Sequence, residues 1–146
     1  MKLQRRTQGG FTLIEIMVVV VILGLLATFA MTNVIGEPDK ARVVKARSDL
    51  QSIESALERY KLDNFVYPST EQGLKALVEK PTIGPEPRSF PPGGYLKKTP
   101  QDPWGREYQY LDSQDTGGRP QVYTLGADGQ PGGEGYAADI SNLDVQ

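Results

Sequence analysis

The 146-residue chain contains neither cysteine nor histidine. It therefore has no disulfide, no covalently attached haem, and no zinc site built on sulfur or imidazole ligands. Cysteine nucleophiles and catalytic triads with a histidine base are excluded as well. A domain of this composition must be held together by its core, by assembly partners, or by a metal bound through oxygen.

A strong excess of charge of either sign is also missing. The 16 basic and 18 acidic residues leave a formal net charge of -2, so we expect no nucleic-acid partner. We also expect no enzyme, because no base is available to activate the serines and the acids fall on solvated helix faces or in turns. Most of the glycines and prolines follow residue 80, and composition thus divides the chain in two.

The N-terminal segment predicts a single membrane helix. Residues 1–10 read MKLQRRTQGG and carry three basic residues and no acid, and Glu15 is the only charge from Phe11 to Ile35. Roughly 20 helical residues cross a ~30 Å hydrocarbon core, so this stretch is long enough to span. A secretory signal peptide is the alternative, but its apolar region is shorter and ends at a clear small-residue cleavage site. Basic residues stand on both sides of the span, so the positive-inside count is nearly balanced, and the closest flank favours an N-terminus on the cytoplasmic side.

Glu15 lies inside the apolar stretch and needs an explanation. A carboxylate at the centre of a bilayer costs about 2–3 kcal/mol, and less near the headgroups. Glu15 follows Phe11 by four positions, so it either lies shallow near the interface or awaits a positive partner within the membrane.

The junction between leader and helix resembles the type IV prepilin signal, since the sequence Gly10-Phe11-Thr12-Leu13-Ile14-Glu15 follows a short basic leader. The resemblance implies that a prepilin peptidase cuts after Gly10 and methylates the new N-terminus at Phe11. It also implies that Glu15 neutralises the terminal amine of a neighbouring subunit as the helices bundle into a filament. Two opposite buried charges are tolerable where one is not.

A second helix is predicted after a bend or break at Gly36-Glu37-Pro38. From Asp39 to about Leu62, apolar residues recur in steps of three and four. The expected buried face consists of Val43, Ala46, Leu50, Ile53, Leu57 and Tyr60. About three heptads are short for a coiled coil, so packing against a sheet is favoured.

The rest of the chain predicts a small α+β head. Ser69 and Gln72 form a capping box for a helix over Glu71 to Glu79, and residues 81–94 form an irregular loop. Residues 106–111 and 121–125 are predicted strands, joined as a hairpin by residues 113–119. We expect their antiparallel sheet to pack on the amphipathic helix.

The glycine-rich tail contains four acids, namely Asp128, Glu134, Asp139 and Asp144. Calcium accepts six to eight hard oxygen ligands, which carboxylates and loop carbonyls supply. The pair Asp128-Gly129 is equally typical of a simple turn, so both interpretations stay open.

Motifs spread over the head are similar to those of the protein G family of type II secretion, the major pseudopilins. They are Tyr60-Lys61-Leu62-Asp63-Asn64, Tyr67-Pro68-Ser69-Thr70, Gly94-Tyr95-Leu96-Lys97-Lys98, Asp102-Pro103-Trp104-Gly105 and Leu125-Gly126-Ala127-Asp128-Gly129. The resemblance implies a calcium ion held by the carbonyls of Leu125 and Gln130 and the carboxylates of Asp128 and Asp139. Members often carry a further aspartate where this chain has Ala137 and Ala138, so Glu134 or water would compensate. Many also have a proline in the membrane helix, where Thr32 stands here.

Together these features predict a type IV pilin-like α+β protein with a leader at 1–10, a transmembrane and filament-core helix at 11–35, and a periplasmic head at 36–146 with a metal-binding loop. The resemblance implies a single-pass inner-membrane subunit that polymerises with itself into a pseudopilus. Its implied partners are minor pseudopilins, the inner-membrane assembly platform, the prepilin peptidase, and membrane lipid before assembly. The alternatives are a type IV pilus subunit and a membrane-anchored, calcium-dependent binding domain.

Overall fold

The computed structural model describes residues 11–34 and 37–144, and the side chains of residues 27–37 lie outside this description. The predicted leader, Gly10, Ile35 and the bend residue Gly36 therefore fall outside the described residues, as does the side chain of Thr32. The chain divides into two compact units, with the boundary between Pro38 and Asp39.

The first unit contains helix α1, which runs from Leu13 to Val34. This helix lies within the predicted range of 11–35. The large apolar side chains between Phe11 and Leu26 are all at least 47% exposed in this chain. Among the residues that the structure describes, no helix combines the length and the apolar character that a membrane crossing requires.

Helix α2 runs from Glu37 to Asn64, and all of it from Asp39 onward belongs to the second unit. Pro38 lies in its first turn, where a missing amide hydrogen costs no helical hydrogen bond. One face of α2 is almost fully buried, as its periodicity predicted, and consists of Ala46, Leu50, Ile53, Ala56, Leu57 and Tyr60. Val43 lies partly buried at the end of this face.

Within residues 37–144, three short antiparallel strands follow in the order β1 (Gln109–Leu111), β2 (Gln121–Thr124) and β3 (Ile140–Ser141). Tyr110 pairs with Val122, and Thr124 pairs with Ile140. The predicted hairpin is confirmed, and its connection includes a single helical turn, α3 (Ser113–Thr116). The first strand was predicted too long, because Glu107 makes only an isolated bridge to Gln101 across a turn.

Helix α2 and the sheet share one core. The buried face of α2 belongs to the same cluster as Tyr108 and Tyr110 from the β1 segment, Val122 and Ile140. The hydroxyl of Tyr110 donates to the carbonyl oxygen of Pro68 at 2.8 Å, and burial raises the pKa of Tyr110. The α+β class is thus confirmed, and α2 packs with the sheet rather than in a coiled coil within this unit.

The helix predicted over residues 71–79 is wrong in extent, since only a 3-10 turn from Leu74 to Leu77 forms. The predicted capping box does form: the Ser69 amide donates to Gln72 Oε1 at 3.0 Å, and the Gln72 amide donates to Ser69 Oγ at 3.2 Å. The turn stops because the Leu77 carbonyl accepts from the amides of Tyr95 and Leu96, at 2.7 and 2.8 Å. Tertiary hydrogen bonds thus replace the next helical one.

Asp102 organises the turn before the sheet, and its side chain is only 1% exposed. Its Oδ1 accepts from the amides of Trp104 at 3.0 Å and Arg106 at 2.9 Å. Its Oδ2 accepts from Thr124 Oγ1 at 2.5 Å and lies 3.4 Å from Arg106 Nε. One buried carboxylate therefore joins the turn to strand β2.

We expect Asp102→Asn to lower the free energy of unfolding by about 2–4 kcal/mol, because the amide removes the charge and cannot accept all four hydrogen bonds. Urea titration of the full-length chain in detergent, followed by the fluorescence of Trp104, its single tryptophan, measures this change. Glu107→Gln is the matched control, because Glu107 is exposed in the same segment. Equal midpoints for the two variants would contradict the role assigned to Asp102.

Candidate functional site

The N-terminus of α1 presents the first group of predicted functional residues. Phe11 is 81% exposed, and Glu15 lies in the first helical turn. The amide of Glu15 lies 3.4 Å from Thr12 Oγ1, and the Thr12 carbonyl accepts from the Ile16 amide at 3.3 Å. Thr12 therefore caps α1, and the acid three residues later suits the positive end of the helix dipole.

The C-terminal loop between β2 and β3 presents the second group. The Leu125 carbonyl accepts from the Gly129 amide at 3.1 Å, which forms a tight turn over residues 125–129. The Ala127 amide donates to the Tyr136 carbonyl oxygen at 2.9 Å, so the returning segment folds against this turn. Gly126 has a φ of +61°, and a side chain there would collide with the backbone of Ala137 and Ala138.

The two predicted carboxylate ligands have local backbone partners. Asp128 Oδ1 accepts from the Gln130 amide at 3.0 Å. Asp139 Oδ2 accepts from the Gly132 amide at 2.9 Å, and the Asp139 amide donates back to the Gly132 carbonyl at 3.1 Å. Both side chains are exposed, so each retains access to solvent and to a cation.

The structure places the predicted ligands Leu125 and Asp128 in one turn, with Gln130 directly after it and Asp139 on the returning segment. It does not gather three or more acids into one group anywhere in the described residues. The four acids of the tail therefore do not form one carboxylate group, and Asp128 and Asp139 bond to the backbone amides of Gln130 and Gly132 instead. A set of two carboxylates and two carbonyls is compatible with the hard oxygen chemistry of calcium.

Arg106 is a residue of this region that sequence reasoning missed. Its guanidinium donates to the Gly126 carbonyl and lies against Gly129. The side chain starts in the Asp102 turn, so it bridges that turn and the C-terminal loop. The signal available in the sequence was the lack of any lysine or arginine after Arg119, which leaves the acidic tail without a local cation.

Curated relatives resemble this chain over almost its whole length. The type II secretion system core protein G of Vibrio cholerae is 58% identical over 141 residues, covering 97% of this chain and 95% of the relative. The protein of the same name from Pseudomonas aeruginosa is 57% identical, covering 97% of this chain and 99% of the relative.

A solved structure agrees with the fold. The crystal structure of the major pseudopilin from the type 2 secretion system of enterohaemorrhagic Escherichia coli matches with a TM-score of 0.68 and 46% identity. It covers 78% of this chain and 92% of that chain.

Two family models match successive parts of the sequence. Residues 5–31 match the prokaryotic N-terminal methylation motif. Residues 33–143 match the family described as type II secretion system protein G. The resemblance drawn from the leader and the head motifs is confirmed, and the chain belongs to the type II secretion system protein G family.

Proposed function

We propose that this chain is the structural subunit of a periplasmic pseudopilus, whose polymerisation drives folded proteins across the outer membrane. The observation that carries the proposal is the succession of a methylation motif at 5–31 and a protein G head at 33–143. A type IV pilus subunit would share the motif, but the match over the head favours secretion. Such a subunit acts through assembly and not through catalysis.

The N-terminal segment supplies the assembly chemistry. The prepilin peptidase cuts between Gly10 and Phe11 and methylates Phe11. Lipid surrounds the exposed apolar side chains of α1 while the subunit is stored in the inner membrane, single-pass, with its head in the periplasm. In the filament, the same side chains pack against neighbouring copies, and Glu15 pairs with a neighbour's terminal amine.

Assembly into a filament requires other components besides copies of this chain. Minor pseudopilins and the inner-membrane platform of the secretion system are the partners expected for a family member. The platform contacts the subunit within the bilayer, because the apolar helix of the stored subunit is covered only by lipid. Release from lipid into the helical bundle then replaces lipid contacts by protein contacts.

The C-terminal loop is a calcium site in this proposal. The carbonyls of Leu125 and Gln130 and the carboxylates of Asp128 and Asp139 would hold the ion, which supplies a hard cation that orders the loop. The support lies in the donor set and in the turn over residues 125–129, which contains Leu125 and Asp128 and is followed directly by Gln130. Few large apolar side chains are available in residues 126–139 to order it, and fixing each residue costs about 1–2 kcal/mol.

We expect the chain extracted from membranes to begin at a methylated Phe11, because Gly10 and Phe11 stand where the basic leader meets the apolar helix. Mass spectrometry of the N-terminal peptide measures this. Gly10→Val should retain the leader, whereas Gly9→Ala should still be cut. A terminus at Met1, or one beyond Ala30, would rule out the pseudopilin interpretation.

Substitution of Glu15 separates a role in charge pairing from a role in capping helix α1. Glu15→Ala should still be cleaved and inserted but should form few filaments, because the charge pair matters only on assembly. Glu15→Gln is the matched variant, since glutamine can take the same position in the capping arrangement with Thr12 but carries no charge. Filaments counted by electron microscopy, with membrane abundance as reference, measure the effect. Normal filaments from Glu15→Gln would assign Glu15 to helix capping instead.

Calcium binding should stabilise the head. Calcium should raise the melting temperature of the full-length chain in detergent, by a stabilisation of about 2.7 kcal/mol at a hundredfold excess over Kd. Magnesium should do so less, because its octahedral shell fits a flexible carbonyl-rich loop poorly. Asp128→Ala should abolish the shift and Asp139→Ala should weaken it, while Asp144→Ala serves as control. Identical melting curves in calcium and in chelator would mean that the loop is ordered by packing alone.

A further inference from the structure

Arg106 occupies a particular position between a buried acid and the C-terminal loop. Its Nε lies 3.4 Å from Asp102 Oδ2, and its Nη2 donates to the carbonyl oxygen of Gly126. The Asp102 side chain is 1% exposed and that of Arg106 is 37% exposed. The guanidinium is therefore anchored at one end in the core and reaches the loop with the other.

Arg106 contacts residues that are next to the proposed calcium ligands in the sequence. Gly126 directly follows Leu125, and Gly129 stands between Asp128 and Gln130. Gly129 has a φ of +70°, and a side chain there would collide with the guanidinium. The turn that contains Leu125 and Asp128 therefore rests on Arg106.

The charges explain why an arginine is useful at this place. Residues 125–139 contain Asp128, Glu134 and Asp139 and no lysine or arginine. A guanidinium offers five donors in a fixed fork, so it can serve a carboxylate and a carbonyl at the same time. Arg106 thus brings the positive end of the Asp102–Arg106 ion pair to an acidic loop that contains no lysine or arginine itself.

We propose that Arg106 is a built-in counter-cation of the C-terminal loop, which holds the calcium-free loop in shape and opposes the entry of the ion. The inference rests on the proposed calcium function of this loop. A guanidinium that lies against the turn carrying Asp128 would repel a divalent cation bound there, and the same group stabilises the acidic loop when the ion is absent. Arg106 accordingly sets how strongly the stability of the head depends on calcium.

A purely structural arginine behaves differently. It would stabilise the calcium-bound and calcium-free forms equally, and its loss would leave the calcium response unchanged. A counter-cation stabilises mainly the calcium-free form, so its loss must enlarge the response by linkage. The two roles are therefore separated by measuring each variant with and without the ion.

The experiment compares Arg106→Gln, Arg106→Lys and, as control, Arg119→Gln in the full-length chain in detergent. Arg119 is also an exposed arginine paired with an acid, Glu54 at 2.7 Å, but it lies outside the loop. Each variant is melted in chelator and in calcium, with Trp104 fluorescence as the signal. A second measurement is the rate at which a glutamate-specific protease cuts after Glu134, within the loop.

For Arg106→Gln we expect a calcium-induced rise in melting temperature about twice that of the unmutated chain, and cleavage after Glu134 about fivefold faster in chelator. Calcium should restore protection. Arg106→Lys should give a melting shift and a cleavage rate between those of the unmutated chain and Arg106→Gln, because lysine keeps the charge but lacks the planar fork of donors. Arg119→Gln should match the unmutated chain in both measurements.

Equal calcium responses in Arg106→Gln and the unmutated chain would overturn the inference and leave the proposed calcium site standing. A calcium-induced rise in melting temperature that occurs in Arg106→Gln but not in the unmutated chain would support the inference. Arg106 would then stabilise the loop of the unmutated chain in place of the ion. No response in either chain, with equal cleavage rates, would overturn both.

Discussion

The buried carboxylate of Asp102 is the interaction on which the less regular part of the head depends. A charge with so little exposure is stable only when its lone pairs are matched, and here two backbone amides, a hydroxyl and a guanidinium match them. Through Thr124 the carboxylate holds β2, and through Arg106 it reaches the C-terminal loop. The turn, the sheet and the candidate site therefore form one connected polar structure.

Buried amide side chains play a similar part elsewhere, because the sheet is too small to pair most of the backbone. The Asn142 Oδ1 accepts from the Val122 amide at 2.8 Å, and its Nδ2 donates to the Pro120 carbonyl at 3.2 Å. These side-chain bonds extend β3 beyond its two residues. Gln72 donates to the carbonyls of Ile83 and Pro85, at 2.7 and 2.9 Å. Such side chains substitute for strand partners in the irregular proline-rich segment.

The sequence predicted those elements that follow from local periodicity or local hydrogen bonding. The buried face of α2, the Ser69–Gln72 capping box and the hairpin belong to this class. Residues Ile140–Ser141 were missed as a strand, because two residues have no periodicity and form a strand only by pairing with β2. The role of Arg106 was missed for a related reason: its partner Gly126 lies 20 positions away along the chain. For the site, the pair Asp128-Gly129 indicated a turn as one of two interpretations, whereas the separation of the acids depends on tertiary contacts.

The pairing of Thr124 with Ile140 has a consequence for how the head can change. Both ends of the segment 125–139 are fixed at one cross-strand pair, so its length is independent of the strand register. Doubling the length of a closed loop costs only about 0.6 kcal/mol. Loop closure therefore costs little more for a longer segment, and the pairing of β2 with β3 does not fix how many residues lie between Thr124 and Ile140.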